Sequence, residues 1–196
     1  MPKITRLKFQ KNQERVNLYL DGKYAFGVDA QKVLAKNLKV GQEISSKEQE
    51  ELKDSGDLAK YFDKTLRFVS SRPHSQREIT DYLFRKKVPP EMVSQITEKL
   101  ISLGLVNDHD FAVWWVEQRT AFRPKGTRAL RAELRGKGVS TEIVDEALKG
   151  VNEVPLALQA ARKKNLDREK LVGYLGRKGF SWDTIESVLE EIGKKE

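Results

Sequence analysis

The chain has 196 residues, 38% hydrophobic and 34% charged, with a formal net charge of +8, a pI near 9.5 and a mean hydropathy of -0.62. Its longest strictly apolar run, Phe111 to Val116, falls far short of the roughly 20 residues a membrane span needs, and Met1 to Leu20 alternates charged and apolar residues instead of building the apolar segment of a signal peptide. The absence of cysteine excludes disulfides, thiolate zinc sites and cysteine nucleophiles together, so the composition points to a soluble, cytoplasmic protein with small cores and an anionic partner.

From Ile4 to Val28 apolar residues recur with period 2: Leu7 and Phe9, then Val16, Leu18 and Leu20, then Tyr24, Phe26 and Val28. This is the pattern of strands with one buried face. Asp21-Gly22, between the second and third runs, is a two-residue hairpin signal, since Gly accepts the positive φ that a tight turn requires. A small antiparallel β-sheet module therefore opens the chain. Ala30 to Leu38 reads as a short helix, Val40-Gly41 as a turn, and Ser45 to Asp54 as another helix, with Ser45 and Glu48 at capping-box spacing. The module boundary is expected at Ser55-Gly56, which gives residues 1–56 a net charge of +3 with no sharp patch.

Beyond Gly56 the chain consists of amphipathic helical segments, and their arrangement repeats. Ile79, Leu83, Val88, Val93, Ile96 and Leu100 recur at the same offsets as Leu130, Leu134, Val139, Val144, Ala147 and Val151, and again as Leu171, Leu175, Phe180, Ile185, Val188 and Ile192. The copies are 51 and 41 residues apart. Each is preceded by a further helical stretch, Leu58 to Ser71, Asp108 to Phe122 and Pro155 to Asn165. The expected fold is mainly α, with three tandem three-helix, helix-turn-helix-like repeats over 57–106, 107–152 and 153–196 in an elongated array. Each unit is too small to bury its own apolar face, so neighbours stack.

The junction inside each unit has a local cause. Gly138-Val139 and Gly179-Phe180 fit a helix stop in which Gly is left-handed and the next apolar residue folds back onto the last turn. Ser140 and Ser181 then cap the next helix, with Glu142 and Asp183 near its positive end. In the first copy Lys87 replaces the Gly and Pro89-Pro90 the Ser. A left-handed Lys costs on the order of 1 kcal/mol, so a different turn geometry is expected there.

Charge is gathered unevenly along these repeats. Arg119 to Lys137 holds seven Lys or Arg residues against one acid, Glu133. On the helix inside this stretch Leu130 and Leu134 share one side, and Arg128, Arg131 and Arg135 fall in a narrow arc roughly 115° away. The second helix of every copy ends basic, in Arg85, Lys86 and Lys87, in Arg135 and Lys137, and in Arg177 and Lys178, whereas the third helices are acidic. Cations at a helix C-terminus complement its dipole by roughly 0.3–1 kcal/mol, which accounts for Lys86 or Lys178. It does not account for Arg119, Arg123, Lys125 and Arg128, which surround a helix start where cations oppose the dipole. A binding role for an anionic partner is the reading these four support.

Phe111, Trp115 and Phe122 form a compact apolar stripe expected in the core. Trp114, about 60° to one side of that stripe, and Trp182, beside a helix cap, are candidate stacking or partner surfaces. Asp108-His109-Asp110 reads as a helix start capped by Asn107 or Asp108 and not as a metal site, because adjacent side chains diverge and no second histidine is near. No Walker A segment, nucleophile elbow or dinucleotide loop is present. No catalytic residue, metal or cofactor is expected, and the chain reads as a non-enzyme.

Gly104-Leu105-Val106-Asn107-Asp108-His109-Asp110-Phe111-Ala112, Arg119 with Lys125-Gly126, Glu133-Leu134 and Lys137-Gly138-Val139 resemble the RecX family, regulators of the bacterial recombinase RecA. With the repeats, the resemblance covers roughly residues 57–192, and the amino-terminal sheet looks like an extension carried by some members. The resemblance implies a regulator that lies in the groove of the RecA filament on single-stranded DNA, lowers strand exchange and coupled ATP hydrolysis, and needs no cofactor. It assigns no contact residues one by one. Charge placement therefore nominates the nucleic-acid or filament-binding residues: Arg119, Arg123, Lys125, Arg128, Arg131, Arg135 and Lys137, flanked by Arg85, Lys86 and Lys87 and by Arg177 and Lys178. The alternative is a helix-turn-helix protein acting on duplex DNA. No dimerisation heptad is visible, so a monomer is expected, and the helix after the middle turn is acidic; both count against it. Surface binding to a membrane fails because two leucines and two alanines make too small an apolar face.

Overall fold

The computed structural model describes residues 1–11, 13–162, 164 and 166–193. Among these, three strands and ten helices form two compact units, Met1–Phe68 with Leu83–Ile96, and Val69–Tyr82 with Thr97 onward.

The first unit opens with strands β1 (Ile4–Phe9), β2 (Arg15–Leu20) and β3 (Lys23–Asp29), an antiparallel sheet in the order β1-β2-β3. Asp21 and Gly22 turn the second hairpin at φ 48° and 83°, the doubly positive pair of a type I′ turn. Val16 and Leu18 of the central strand are fully buried. They meet Ile4 and Val28 from the flanking strands, and Val33, Leu38, Ile44 and Leu52 from the chain beyond β3. Helix α1 (Ala30–Ala35) is capped by Asp29, whose side chain accepts from the Gln31 amide at 2.7 Å.

Helix α2 (Ser46–Val69) starts with the expected capping box: Ser45 Oγ accepts from the Glu48 amide at 3.2 Å and Glu48 Oε2 from the Ser45 amide at 2.8 Å. The two helices expected over Ser45 to Asp54 and Leu58 to Ser71 are this one helix, unbroken at Ser55-Gly56. Gly56 is there for close approach and not as a breaker. A Cβ at Gly56 would lie 1.9 Å from the carbonyl oxygen of Gly27, so the glycine lets α2 press against β3.

Helices α3 (Gln76–Arg85) and α4 (Pro90–Ser102) belong in part to each unit. The second unit then runs through α5 (Asp108–Phe122), α6 (Thr127–Gly136), α7 (Thr141–Leu148), α8 (Glu153–Arg162), α9 (Arg168–Arg177) and α10 (Trp182–Gly193). The end expected for α8, Asn165, lies outside the described residues. The repeating apolar positions are the cores. Ile79 to Leu100 of the first copy are buried at all six positions. In the second, Leu130, Leu134, Val139 and Val144 pack with Phe111, Ala112, Val116 and Leu148. In the third, Leu171, Leu175, Phe180, Ile185 and Val188 pack with Ala157, Ala160 and Ala161 of α8.

The three inner turns are alike, including the first. Lys87 takes φ 57°, matching Gly138 at 82° and Gly179 at 85°. In each, the following apolar amide donates back across the turn, Val88 to Leu83 O, Val139 to Leu134 O and Phe180 to Leu175 O. The different geometry expected for the first turn is thus not adopted. The packing of Val88, 4% exposed, holds the lysine in the left-handed well.

Candidate functional site

Helix α6 and the segments against it carry most of the nominated cations. Gly126 precedes the helix in extended conformation, and Leu130 and Leu134 are buried. Glu133, on the same helix, is the hub. Its Oε2 accepts from Trp115 Nε1 at 2.8 Å and from Arg119 Nε at 2.9 Å, and its Oε1 from Lys125 Nζ. Burial pushes this carboxyl up, but the hydrogen bonds from Lys125 and Trp115 and the Arg119 charge outweigh it and hold it below the usual carboxylate range. The Trp115 ring is bracketed by two cations, Arg119 with its guanidinium carbon 4.4 Å from the ring centroid and Lys137 with Nζ at 4.3 Å. Lys137 Nζ also donates to Glu78 Oε1 at 2.5 Å, and Arg72 holds the same carboxylate with Nη1 at 2.8 Å from Oε2. Arg72 covers Trp114 at 5.3 Å.

Arg119, Lys125 and Lys137 are thus tied into this network by ion pairs to Glu133 and Glu78, contacts that the helix-dipole account does not supply. Arg131 pairs with Asp145 on α7, and Arg135 Nη2 donates to Thr141 Oγ1 at 3.2 Å. Arg128, exposed, donates from Nη2 to Gly176 O at the end of α9, at 2.9 Å. Lys178 Nζ reaches Pro124 O at 3.4 Å, and the Gly126 amide donates to Lys178 O at 3.0 Å. The start of α6 and the end of α9 thus meet. This brings together Arg128, Lys178 and the exposed chain neighbours Arg123 and Arg177, for which no carboxylate partner stands among the described residues. Arg85, Lys86 and Lys87 lie in the first compact unit.

Glu153, at the start of α8, escaped sequence reasoning. Its Oε1 accepts from the Thr127 amide at 2.5 Å and its Oε2 from the Ser181 amide at 3.1 Å and Thr184 Oγ1 at 3.0 Å, so one carboxylate caps both α6 and α10. Burial raises its pKa, and those hydrogen bonds lower it further than burial raises it. A matching contact joins α3 to the second repeat. Ser75 Oγ, just before α3, donates to Lys137 O at 2.8 Å, the position that Lys178 O occupies for Gly126.

The aromatic expectations divide. Phe111 is fully buried and Trp115 half-buried, but Phe122, expected with them in the core, is 70% exposed. It sits in the last turn of α5, where the chain leaves for Pro124 and the stripe no longer faces the core. Trp114 is half-buried beneath Arg72, whereas Trp182 is 59% exposed with its Nε1 donating to Glu186 at 2.7 Å. Asn107 caps α5, accepting from the His109 amide at 2.8 Å. Among the described residues no group of three His, Cys, Asp or Glu side chains could hold a metal, and no helix is long and apolar enough to cross a membrane.

Three family models match this architecture in chain order: Regulatory protein RecX N-terminal domain over residues 2–45, RecX first three-helix domain over 62–100, and RecX second three-helix domain over 107–148. Regulatory protein RecX of Bacillus subtilis (strain 168) is 32% identical over 98% of this chain and 78% of its own length. The chain belongs to the RecX family. Regulatory protein RecX of Clostridium beijerinckii is 30% identical over 98% of this chain and 96% of its own. A crystal structure of regulatory protein RecX superposes with a TM-score of 0.73 at 28% identity, covering 97% of this chain and all of the other. RecX from Lactobacillus salivarius gives 0.61 at 26% identity over 70% of this chain and 97% of its own. The sheet is thus a family domain, and the match extends well beyond the stretch of residues 57–192 on which the motifs carried it.

Proposed function

We propose that this protein binds the RecA filament on single-stranded DNA and lowers its ATP hydrolysis and strand exchange, acting in the cytoplasm as a monomer and catalysing no reaction itself. The observation that carries the reading is the cationic junction of the second and third repeats, where Arg123, Arg128, Arg177 and Lys178 gather at the meeting of α6 and α9. Membership of a family of regulatory proteins supports it as well. In this reading the exposed cations face filament or DNA, while Arg119, Lys125 and Lys137 hold the surface in shape. The repeats over 57–106, 107–152 and 153–196 are the stacking units that span the groove.

The test is the rate of ATP hydrolysis by RecA on single-stranded DNA as this protein is added. Inhibition at or below one protein per recombinase subunit is expected, and a rate that stays level would sink the reading. The duplex-DNA alternative loses further ground, because α7, which would enter the major groove, carries Glu142, Asp145 and Glu146 and engages Arg131.

A further inference from the structure

Arg15 leaves half of its guanidinium unsatisfied. Its Nη2 donates to the carbonyl oxygens of Gly56 at 2.8 Å and Gly27 at 3.4 Å, which fixes the side chain between β3 and α2. Its Nη1 is buried and has no hydrogen-bond partner among the described residues. A buried donor of a charged group costs more unpaired than an ordinary hydrogen bond gains, which makes this amino group the natural partner of an acceptor brought to the cleft.

Arg15 lines an open cleft of about 490 Å³ with β3 on one side and α2 on the other. Lys53, Lys60, Lys64 and Arg67 line it from α2, and all four are exposed. At 100° per residue they fall within roughly 60° of one another, and at 1.5 Å per residue they extend over about 21 Å. The cleft holds two acids, Asp57 and Asp63. Asp57 lies 3.9 Å from Lys60, whereas Lys53, Lys64 and Arg67 have no carboxylate partner among the described residues. A solvated helix face accounts for scattered lysines, but not for a cationic row beside a half-buried, half-paired guanidinium. On the β3 side Tyr24 is 59% exposed, with Tyr19 edge-on at 5.8 Å.

We infer that this cleft is a binding site for single-stranded nucleic acid, with backbone phosphates on Arg15 and the α2 row and a base against the ring of Tyr24. A free phosphate would need only Arg15 and one neighbour. The length of the row and the aromatic face fit a strand, since cationic grooves that track the backbone and aromatic faces for the bases are the two parts of such sites. The residues of the site all belong to the first unit, and the inference does not rest on the filament reading.

The experiment is fluorescence anisotropy of a labelled oligothymidylate with the full chain, without recombinase, across a salt series. The triple variant K53A/K64A/R67A removes exposed side chains that have no ion-pair partner among the described residues, and its thermal unfolding checks that the fold is intact. The slope of log K against log salt is expected to drop by about 2, at roughly 0.7 per lost phosphate contact, with affinity about tenfold weaker. Tyr24→Ala is expected to weaken binding about fivefold at unchanged slope. Inorganic phosphate should compete only far above the oligonucleotide's own Kd. Unchanged slope and affinity in the triple variant, or a loss seen only in R123A/R128A/R177A of the second unit, would overturn the assignment, as would competition by inorganic phosphate on equal terms. Recombinase inhibition, measured apart, stands or falls without any of these results.

Discussion

Glu133 is the lone acid in a run of cations, and three donors converge on its carboxylate. Replacing it by Ala leaves the Trp115 indole, Arg119 and Lys125 without their shared acceptor in a part-buried setting. The expected loss is about 2 kcal/mol of unfolding free energy, measured by denaturant titration. Arg123→Ala, at an exposed residue with no carboxylate partner among the described residues, should stay within about 0.5 kcal/mol of the parent. The excess of cations at a helix start was legible as something the dipole does not explain. Its cause was not legible for Arg119 and Lys125, because Glu133 lies 14 and 8 residues away along the chain and only the packing of α5 on α6 brings them together. The one available signal was that single acid. The exposure of Phe122 was missed for a related reason: helical spacing continues the stripe after the core has ended.

At the scale of elements, the turn between the second and third helices of each repeat is the most transferable piece. Lys87 sits in the left-handed region that Gly138 and Gly179 occupy in the other copies. Lys87→Gly is therefore expected to stabilise by about 1 kcal/mol, seen as a higher denaturation midpoint. Gly179→Ala should do the reverse and by more, since its Cβ would stand 2.5 Å from the Cβ of Ala129 at φ 85°. A midpoint that moved the same way for both would contradict the shared geometry. The repeated apolar offsets exposed these helices directly because a residue that recurs at fixed spacing in three copies is placed by the core. Gly56 misled for the opposite reason. Locally a Ser-Gly pair reads as a break, and the approach of β3 that requires the glycine is a tertiary contact with no local mark.

Across the second unit, three carboxylates with depressed pKa join neighbouring segments: Glu78 holds Arg72 and Lys137, Glu133 holds α5 to α6, and Glu153 caps α6 and α10. For Glu78, as for the others, burial pushes the carboxyl up and the cations or donors around it more than compensate. A pKa lower in the folded than in the unfolded chain adds stability that is complete above the unfolded value and is lost as pH falls through the folded one. The unfolding midpoint should thus be level above neutrality, decline as pH falls below about 6.5, where His74, held neutral by burial and by Arg72, gains its proton more readily in the unfolded chain, and drop further below about 4.5. Asp108, which burial raises despite the hydrogen bond from the Gln76 amide, works weakly against that trend. A midpoint that rose on acidification would show that the three carboxylates do not hold the unit. The contact by which one repeat meets the next also has a direction. Ser75 before α3 and Gly126 before α6 each offer a donor to the carbonyl of the following turn. The residue at the same place before α9 is Asp167, whose carboxylate accepts from the Lys170 amide at 2.9 Å and from Lys170 Nζ at 2.6 Å. A carboxylate cannot donate as the Ser75 hydroxyl does, so at α9 the backbone amide of Asp167 is the group left to make the contact that the Gly126 amide makes before α6.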